Sequence, residues 1–496
     1  MNISPNLVKP RILILSLVLV LGMLAAKPAS AFSIWGPAET WQTTALDYVS
    51  RVFYGDTELG GPKNIGEGSR VNDGIVTYAY DETFLTYFGS DGVKAVDAAF
   101  NVLNSLPAVT SSSSPSLEQF LTQGNQRINY SAQSIDLLDL KSVVMWAMLE
   151  HMGLIGETHV FDLGSRVAIA GETCEFDYFV IQRNFDPDTL NPSFYVNGSE
   201  YTYQIYDLCP TPSVGDAIEQ FVDPEVLPYS SQAVATINFL QLGGFYLGIT
   251  RDDMGGLRYI YNPQRYVNEN FDPTCYPSVG TSSPYSPVST NTTTTAGGTA
   301  TTVTGGGGLY LLGGVGKIEF VKVQYNSLLG TEFGTNTAIF KIPLLTNGQV
   351  SMMSVTRTNT APDIIFTAAN LSQGAIADTE LSRSITFVAS TVPASPGGGI
   401  IPSVMSPAQV VTFNNIGPIY YNETPYFLTQ DTAIEYPIFI WGSFDGSTNA
   451  PIVFPQGTSL TALEEQAASG GGIPLNTYSP EGSNSPVESP IIYQEP

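Results

Sequence analysis

The chain has 496 residues and a formal net charge of −26, from 19 Lys and Arg against 45 Asp and Glu. That acid surplus argues against nucleic acid and anionic membrane as partners, because both are gripped by basic side chains that displace counterions. Charged residues make up only 13%, so the expected surface is neutral-polar, and the length suits two or three domains with cores of their own.

The N-terminus reads as an export signal. Lys9 and Arg11 form a short basic region. The apolar run Ile12 to Ala26 follows, shorter than the roughly 20 residues a membrane-spanning helix needs. Ala29-Ser30-Ala31 is an A-x-A cleavage site, so the mature chain is expected to begin at Phe32. Removing residues 1–31 removes three basic and no acidic residues and moves the net charge from −26 to −29. The expected location is secreted, extracellular or at the cell surface, with no membrane insertion after signal removal.

Residues 32–72 carry apolar anchors, among them Trp35, Trp41 and Phe53, with no clear period. Asp73 to Tyr80 reads as a strand. Ser90 is a candidate N-cap, and Val93, Val96, Phe100, Leu103 and Leu106 follow at helical spacing until Pro107. Leu117 to Tyr130 is ambiguous. The next helix runs from an Asp139 N-cap to Gly153, with apolar residues around most of its circumference, as in a central buried helix. Strands follow: Tyr178 to Ile181, then Phe194 to Val196 and Ser199 to Tyr206 joined by Asn197-Gly198, a type I′ hairpin signal. Arg251 to Tyr261 reads as a short helix with its Asp pair at the N-terminus and Leu257, Ile260 and Tyr261 turned inward.

Residues 276–308 have the composition of a Ser/Thr/Gly-rich linker. In 309–456, short β-branched or alternating runs (Lys317 to Tyr325, Phe340 to Leu345, Val350 to Thr356, Asp363 to Thr367, Gln409 to Phe413, Ile438 to Trp441) read as an all-β, sandwich-like domain. Residues 457–496 form a Gly/Pro/Ser-rich tail expected to be disordered.

Residues 73–262 resemble the matrixin branch of the metzincin zinc endopeptidases. Three segments carry the likeness: Val93 to Leu106, Leu140 to Gly156, and Asp252-Asp-Met-Gly-Gly-Leu-Arg-Tyr-Ile-Tyr261. The second stands where the family has H-E-x-x-H-x-x-G-x-x-H, two His and a third as zinc ligands with a Glu as general base. With Gly153 on the family Gly, the ligand positions become Trp146, Glu150 and Gly156, and the general-base position becomes Ala147. The resemblance therefore implies the fold without its catalytic and metal residues. The chain has two His in all, His151 and His159. His151 lies about 100° around the helix from Glu150, away from the ligand direction. A rebuilt zinc site from Glu150, His151, Glu157 and His159 remains an alternative.

Other candidates are few. No nucleophile elbow or phosphate-binding glycine loop is present. Asp186, Asp188 and Asn191 are candidate oxygen ligands for Ca²⁺, with plain turn chemistry as the competing reading. Cys174 and Cys209 are a candidate disulfide in an exported chain, with Cys275 left over and three unpaired thiols as the alternative. Tyr195 to Tyr206 offer a candidate carbohydrate-stacking face or, alternatively, ordinary strand aromatics.

The expected class is α+β: a metzincin/matrixin-like domain over 32–275, followed by the sandwich-like domain. The expected role is a non-catalytic cell-surface or extracellular structural protein without a cofactor, Ca²⁺ aside, which self-associates or binds other surface proteins. The alternatives are a zinc endopeptidase with a remodelled site and a glycan-binding adhesin.

Overall fold

The computed structural model describes residues 31–34, 65–67, 70–109, 116–121, 126–155, 161–168, 176–207, 215–225, 233–235, 240–269, 275–278, 290–295, 298–303, 310–329, 331–332, 336–369, 377–380, 383–384, 404–405, 409–414, 420–423, 432–435 and 440–455. Elements used below, in chain order, are β1 (Ser33–Ile34), β2 (Ile75–Tyr80), α1 (Glu82–Ser105), β3 (Leu137–Asp139), α2 (Leu140–His151), β4 (Leu154–Ile155), β5 (Phe161–Ala168) and β6 (Phe176–Gln182). They continue as β7 (Tyr195–Val196), β8 (Ser199–Asp207), β9 (Gly215–Phe221), α3 (Arg251–Ile260), β10 (Cys275–Ser278), β11 (Tyr310–Leu312), β12 (Glu319–Lys322) and β13 (Asn336–Thr346). The last are β14 (Gln349–Asn359), β15 (Ile364–Ala369), β16 (Ala377–Glu380), β17 (Gln409–Asn414) and β18 (Ile440–Ser443).

The central sheet has the order β12-β2-β15-β17-β16. Its first four strands are parallel, and β16 pairs antiparallel at the edge. The central strands are covered on both faces, which is why β15 buries consecutive residues (Ile364, Ile365 and Phe366) instead of alternating. Helix α1 covers one face. Phe84, Phe88 and Phe100 on α1 pack with Tyr78, Phe366 and Phe413 on the strands, and the Tyr78 and Phe100 rings stack 3.8 Å apart.

The class is thus mixed, with few helices and several sheets, and β-rich. The separation expected between 32–275 and a sandwich-like 309–456 is corrected. Strands β12, β15 and β17 come from the later segment and flank β2 from the earlier one. Strand β18 likewise pairs in parallel with β3. The physical reason lies in the runs themselves: β2 and β15 are apolar on both faces, so each needs strand neighbours and cover that its own segment does not supply.

The expected linker 276–308 also differs. Strand β10 adds to β14, and Thr290–Thr295 pairs with Gly298–Val303 as a hairpin. Threonine is β-branched and fits a pleated sheet. The tail 457–496 and the anchors Trp35, Trp41 and Phe53 lie outside the described residues.

Local expectations fare better. Helix α1 begins earlier than expected, capped by Asp81, and kinks at Gly89 (φ 58°, ψ −157°), so Ser90 lies inside the helix beyond the kink instead of serving as its N-cap. Helix α2 is capped by Asp139, which accepts from Ser142 N at 2.9 Å, and Gly153 follows it in the left-handed region at φ 109°. Asn197 (φ 42°) and Gly198 (φ 87°) make the hairpin turn between β7 and β8. The ambiguous 117–130 stretch holds a 3-10 turn at Leu117–Gln119 and a strand at Gln126–Ile128.

Candidate functional site

The three segments that carry the matrixin resemblance share one core. Residues of α1, α2 and α3 belong to a single apolar cluster with β2, β15 and β17. Helix α2 runs through it: Leu140, Val143, Val144, Met145, Ala147, Met148 and Leu149 are all buried. Trp146 is half-buried, Ala147 is 1% exposed and Glu150 is half-buried. His151 is 1% exposed, in the last turn of α2. Gly156, Glu157 and His159 lie outside the described residues, as do Cys174 and Cys209.

Zinc requires about three nitrogen, sulfur or carboxylate donors and an open position for water. Of the motif positions described, Trp146 and Ala147 supply no donor and Glu150 supplies one carboxylate. Among the described residues no three His, Cys, Asp or Glu side chains gather closely enough to hold a metal ion.

The N-terminus of α3 buries four consecutive polar residues, Thr250 to Asp253. Thr250 and Asp253 form a capping box: Thr250 Oγ1 accepts from Asp253 N, and Asp253 Oδ2 accepts from Thr250 N at 2.7 Å. Asp253 also accepts from Val234 N and Ala235 N at 3.0 Å, so it anchors a turn eighteen residues upstream. Full burial pushes its carboxyl pKa up, while these hydrogen bonds pull it down. Asp252 takes the other side. Its Oδ2 accepts from Asn197 N at 2.6 Å, and Asn197 Nδ2 donates to Thr250 Oγ1 at 3.3 Å. The Asp pair thus clamps the β7–β8 hairpin and the 234–235 turn onto one helix end.

Strand β1 lies against the same helix. It pairs antiparallel with β4, and Phe32 exchanges backbone hydrogen bonds with Phe185 at 3.0 and 2.8 Å. Ala31 and Phe32 are both fully buried, with the Phe32 ring beside Tyr259. Tyr261 Oη donates to Met152 O at 2.8 Å and closes α3 onto the end of α2.

The candidate Ca²⁺ residues form a turn docked on α3. Asp186 Oδ1 accepts from Asp188 N and Thr189 N at 3.0 and 2.6 Å, and Arg258 pairs with Asp188 at 3.3 Å. Asp186 N donates to Asn191 O at 2.8 Å. This is the turn chemistry of an aspartate bonding its own backbone.

On the β7–β9 sheet, Tyr201 is buried against Phe221 at 4.6 Å and Tyr195 is half-buried. Tyr203 is 41% exposed and Phe194 48%, with their ring centroids 4.6 and 5.8 Å from that of Phe161.

One cluster escaped the sequence reading. Tyr78 Oη and Tyr80 Oη donate to Asp97 Oδ1 at 2.9 and 2.7 Å, and Lys322 Nζ donates to Asp97 Oδ2 at 2.8 Å. Burial, then the Asp97 charge and its hydrogen bond, push the Tyr78 hydroxyl far up; for Tyr80 the hydrogen bond outranks the charge. Both therefore act as donors, and the group ties β2, α1 and β12 together. Tyr78 and Tyr80 share a strand face, but their meeting with Asp97 and Lys322 needs the fold.

No protein-family profile, no curated protein and no solved structure matches this chain.

Proposed function

We propose that the protein is an exported, non-catalytic structural or assembly component built on a scaffold that resembles a matrixin domain. One observation supports this most. The helix that would present the zinc ligands is buried and carries Trp146 and Ala147 where that chemistry needs an imidazole and a carboxylate. The Asp252–Asp253 carboxylates at α3 bind backbone of their own chain, which is an architectural use. The test is zinc titration by calorimetry together with a peptide-library cleavage assay. The expected outcome is no stoichiometric zinc and no cleavage that a chelator abolishes. Stoichiometric zinc lost on His151→Ala and His159→Ala would establish the remodelled peptidase instead.

Export has its own test. The expected cleavage bond joins Ala31 to Phe32, and both residues are fully buried. A peptidase cannot reach that bond in the folded chain, so cleavage there precedes folding. N-terminal sequencing of protein recovered from outside the cell is expected to begin at Phe32.

A second reading, glycan binding, draws on the exposed rings of Tyr203 on β8 and Phe194 just before β7. A glycan array comparing the native chain with Tyr203→Ala tests it.

A further inference from the structure

Among the described residues, the long hairpin β13–β14 leaves one stretch of strand edge without a partner strand. The strands pair over their full length, from Asn336↔Asn359 to Thr346↔Gln349, around the two-residue turn Asn347-Gly348 (φ 51° and 76°). On the far side of β14, β10 pairs only with Ser354 to Arg357. Among the described residues nothing pairs with that side of β14 from Gln349 to Met353.

The hairpin register fixes which groups face out. In a two-residue hairpin, the residues flanking the turn form a hydrogen-bonded pair, and the pattern then alternates. Residues 349, 351 and 353 therefore bond across to β13, while Val350 and Met352 turn their N–H and C=O groups toward the open edge. The side chains of this edge are apolar and exposed: Val350 and Met352 are each 58% exposed, and Ile339 on the same face of β13 is 67% exposed. Exposed apolar strand edges are ordinarily blunted by charge or proline. Here the exposed edge itself, Gln349 to Met352, carries neither.

We infer that this edge is a homotypic docking site: two copies of the chain pair antiparallel through Gln349–Met353 about a two-fold axis at Ser351. The inference rests on the assembly reading above. Two observations select a second copy as the occupant. First, the edge is self-complementary, since the two-fold pairs Val350 with Met352 of the second copy in both directions and joins their exposed side chains into one apolar strip. Second, residues 333–362 contain no Asp or Glu and contain the exposed Lys341, while Arg357 is neutralised by the buried Asp363, in a chain of net charge −26. This hairpin can therefore approach its own copy without the acid–acid repulsion that the overall charge imposes. Backbone hydrogen bonds would supply the affinity and the alternating side chains the register, as in other strand-addition contacts.

The geometry sets a direct test. Because residue 351 bonds inward, Ser351 would face Ser351 of the second copy as a non-hydrogen-bonded pair, with Cα atoms about 4.5 Å apart, within reach of a disulfide. The full mature chain carrying Ser351→Cys is expected to form a disulfide dimer on a non-reducing gel. The native chain and Lys341→Cys, placed on β13 away from the edge, are not. Light scattering of the native chain is expected to show dimers whose mass falls to that of a monomer with Met352→Pro, which removes an outward N–H without touching the β13 ladder, and with Met352→Lys. Circular dichroism of both variants, expected to be unchanged, controls for folding. If the native chain associates but these variants associate equally and the Ser351→Cys chain does not cross-link, the edge is not the interface while the assembly reading stands. If the native chain is monomeric at every concentration, both fall. A monomeric Ser351→Cys chain whose edge amides are protected from hydrogen exchange would overturn the inference in favour of the segment after Ser278 lying along this edge in its own chain.

Discussion

Asp139 sits at a point where three elements meet. It ends β3, caps α2 through Ser142, and through Ser142 Oγ reaches Tyr246 N at 2.9 Å. It is 1% exposed, and burial pushes its carboxyl pKa up to about 6, against the opposing pull of the Ser142 hydrogen bonds and the charge of Lys141. The folded state therefore holds this proton more tightly than the unfolded state, whose value is 3.8. The stability contributed is complete below about pH 4 and is lost as pH rises through about 6, a swing on the order of 3 kcal/mol. Asp139→Asn keeps an oxygen acceptor for Ser142 N and has no such titration. Urea midpoints measured at pH 4.5 and pH 7 are expected to fall with pH more steeply for the native chain than for the variant; parallel slopes would refute the account. The cap was legible in the sequence because an N-cap is a local device. The raised pKa was not, because burial comes from residues far along the chain. The same holds for Asp252: an acid at a helix start is a local signal, but its partner Asn197 lies 55 residues away.

Helix α3 shows the same division between local signal and packing. Its extent, its inward residues and its acidic start were all readable from Arg251 to Tyr261. What the sequence does not show is why Gly255 and Gly256 stand in its middle, where Gly costs about 1 kcal/mol against Ala. The neighbours explain it. A Cβ on Gly256 would stand 2.4 Å from Leu154 Cδ2 and 3.2 Å from the Phe32 side chain, and one on Gly255 would stand 2.7 Å from Pro187 Cβ. The two glycines let α3 press against β4, the Phe32 segment and the Asp186 turn. Gly256→Ala is therefore expected to destabilise by about 1–3 kcal/mol, overpacking outweighing the helix-propensity gain. Gly66, where an added Cβ meets nothing within 4 Å, is the control, with Gly66→Ala expected within about 0.5 kcal/mol of native. Thermal melts of the two variants settle the comparison, and an equal effect of both would refute the packing explanation.

The connectivity of the central sheet makes the two halves of the chain interdependent. Strand β2 lies between β12 and β15, so its neighbours on both sides come from beyond residue 309. A buried ion pair reinforces the join. Arg357 on β14 bonds the Asp363 carboxylate and donates to Ile75 O at 3.0 Å, and Asp363 Oδ2 accepts from Thr77 N at 2.7 Å. Asp363 is 6% exposed, and removing one partner of such a pair costs about 3–5 kcal/mol, because the remaining charge stays buried. The strand runs themselves were legible; their partnership was not. Each run reads the same whether it closes a local sandwich or fills a gap in a distant sheet, and sequence-local reasoning favours the nearer partner. One hint was present: Ile364, Ile365 and Phe366 are apolar in succession, the mark of a strand covered on both faces. The consequence is testable by truncation. Residues 32–308 alone lack three of the four parallel strands, and residues 309–456 alone lack β2 and the helix whose Phe84, Phe88 and Phe100 cover the sheet. Neither fragment is expected to give dispersed amide spectra or a cooperative melt, whereas co-expression of the two is expected to restore one shared transition. A fragment 309–456 that melts cooperatively by itself would show that the sandwich-like domain first expected from the sequence folds independently.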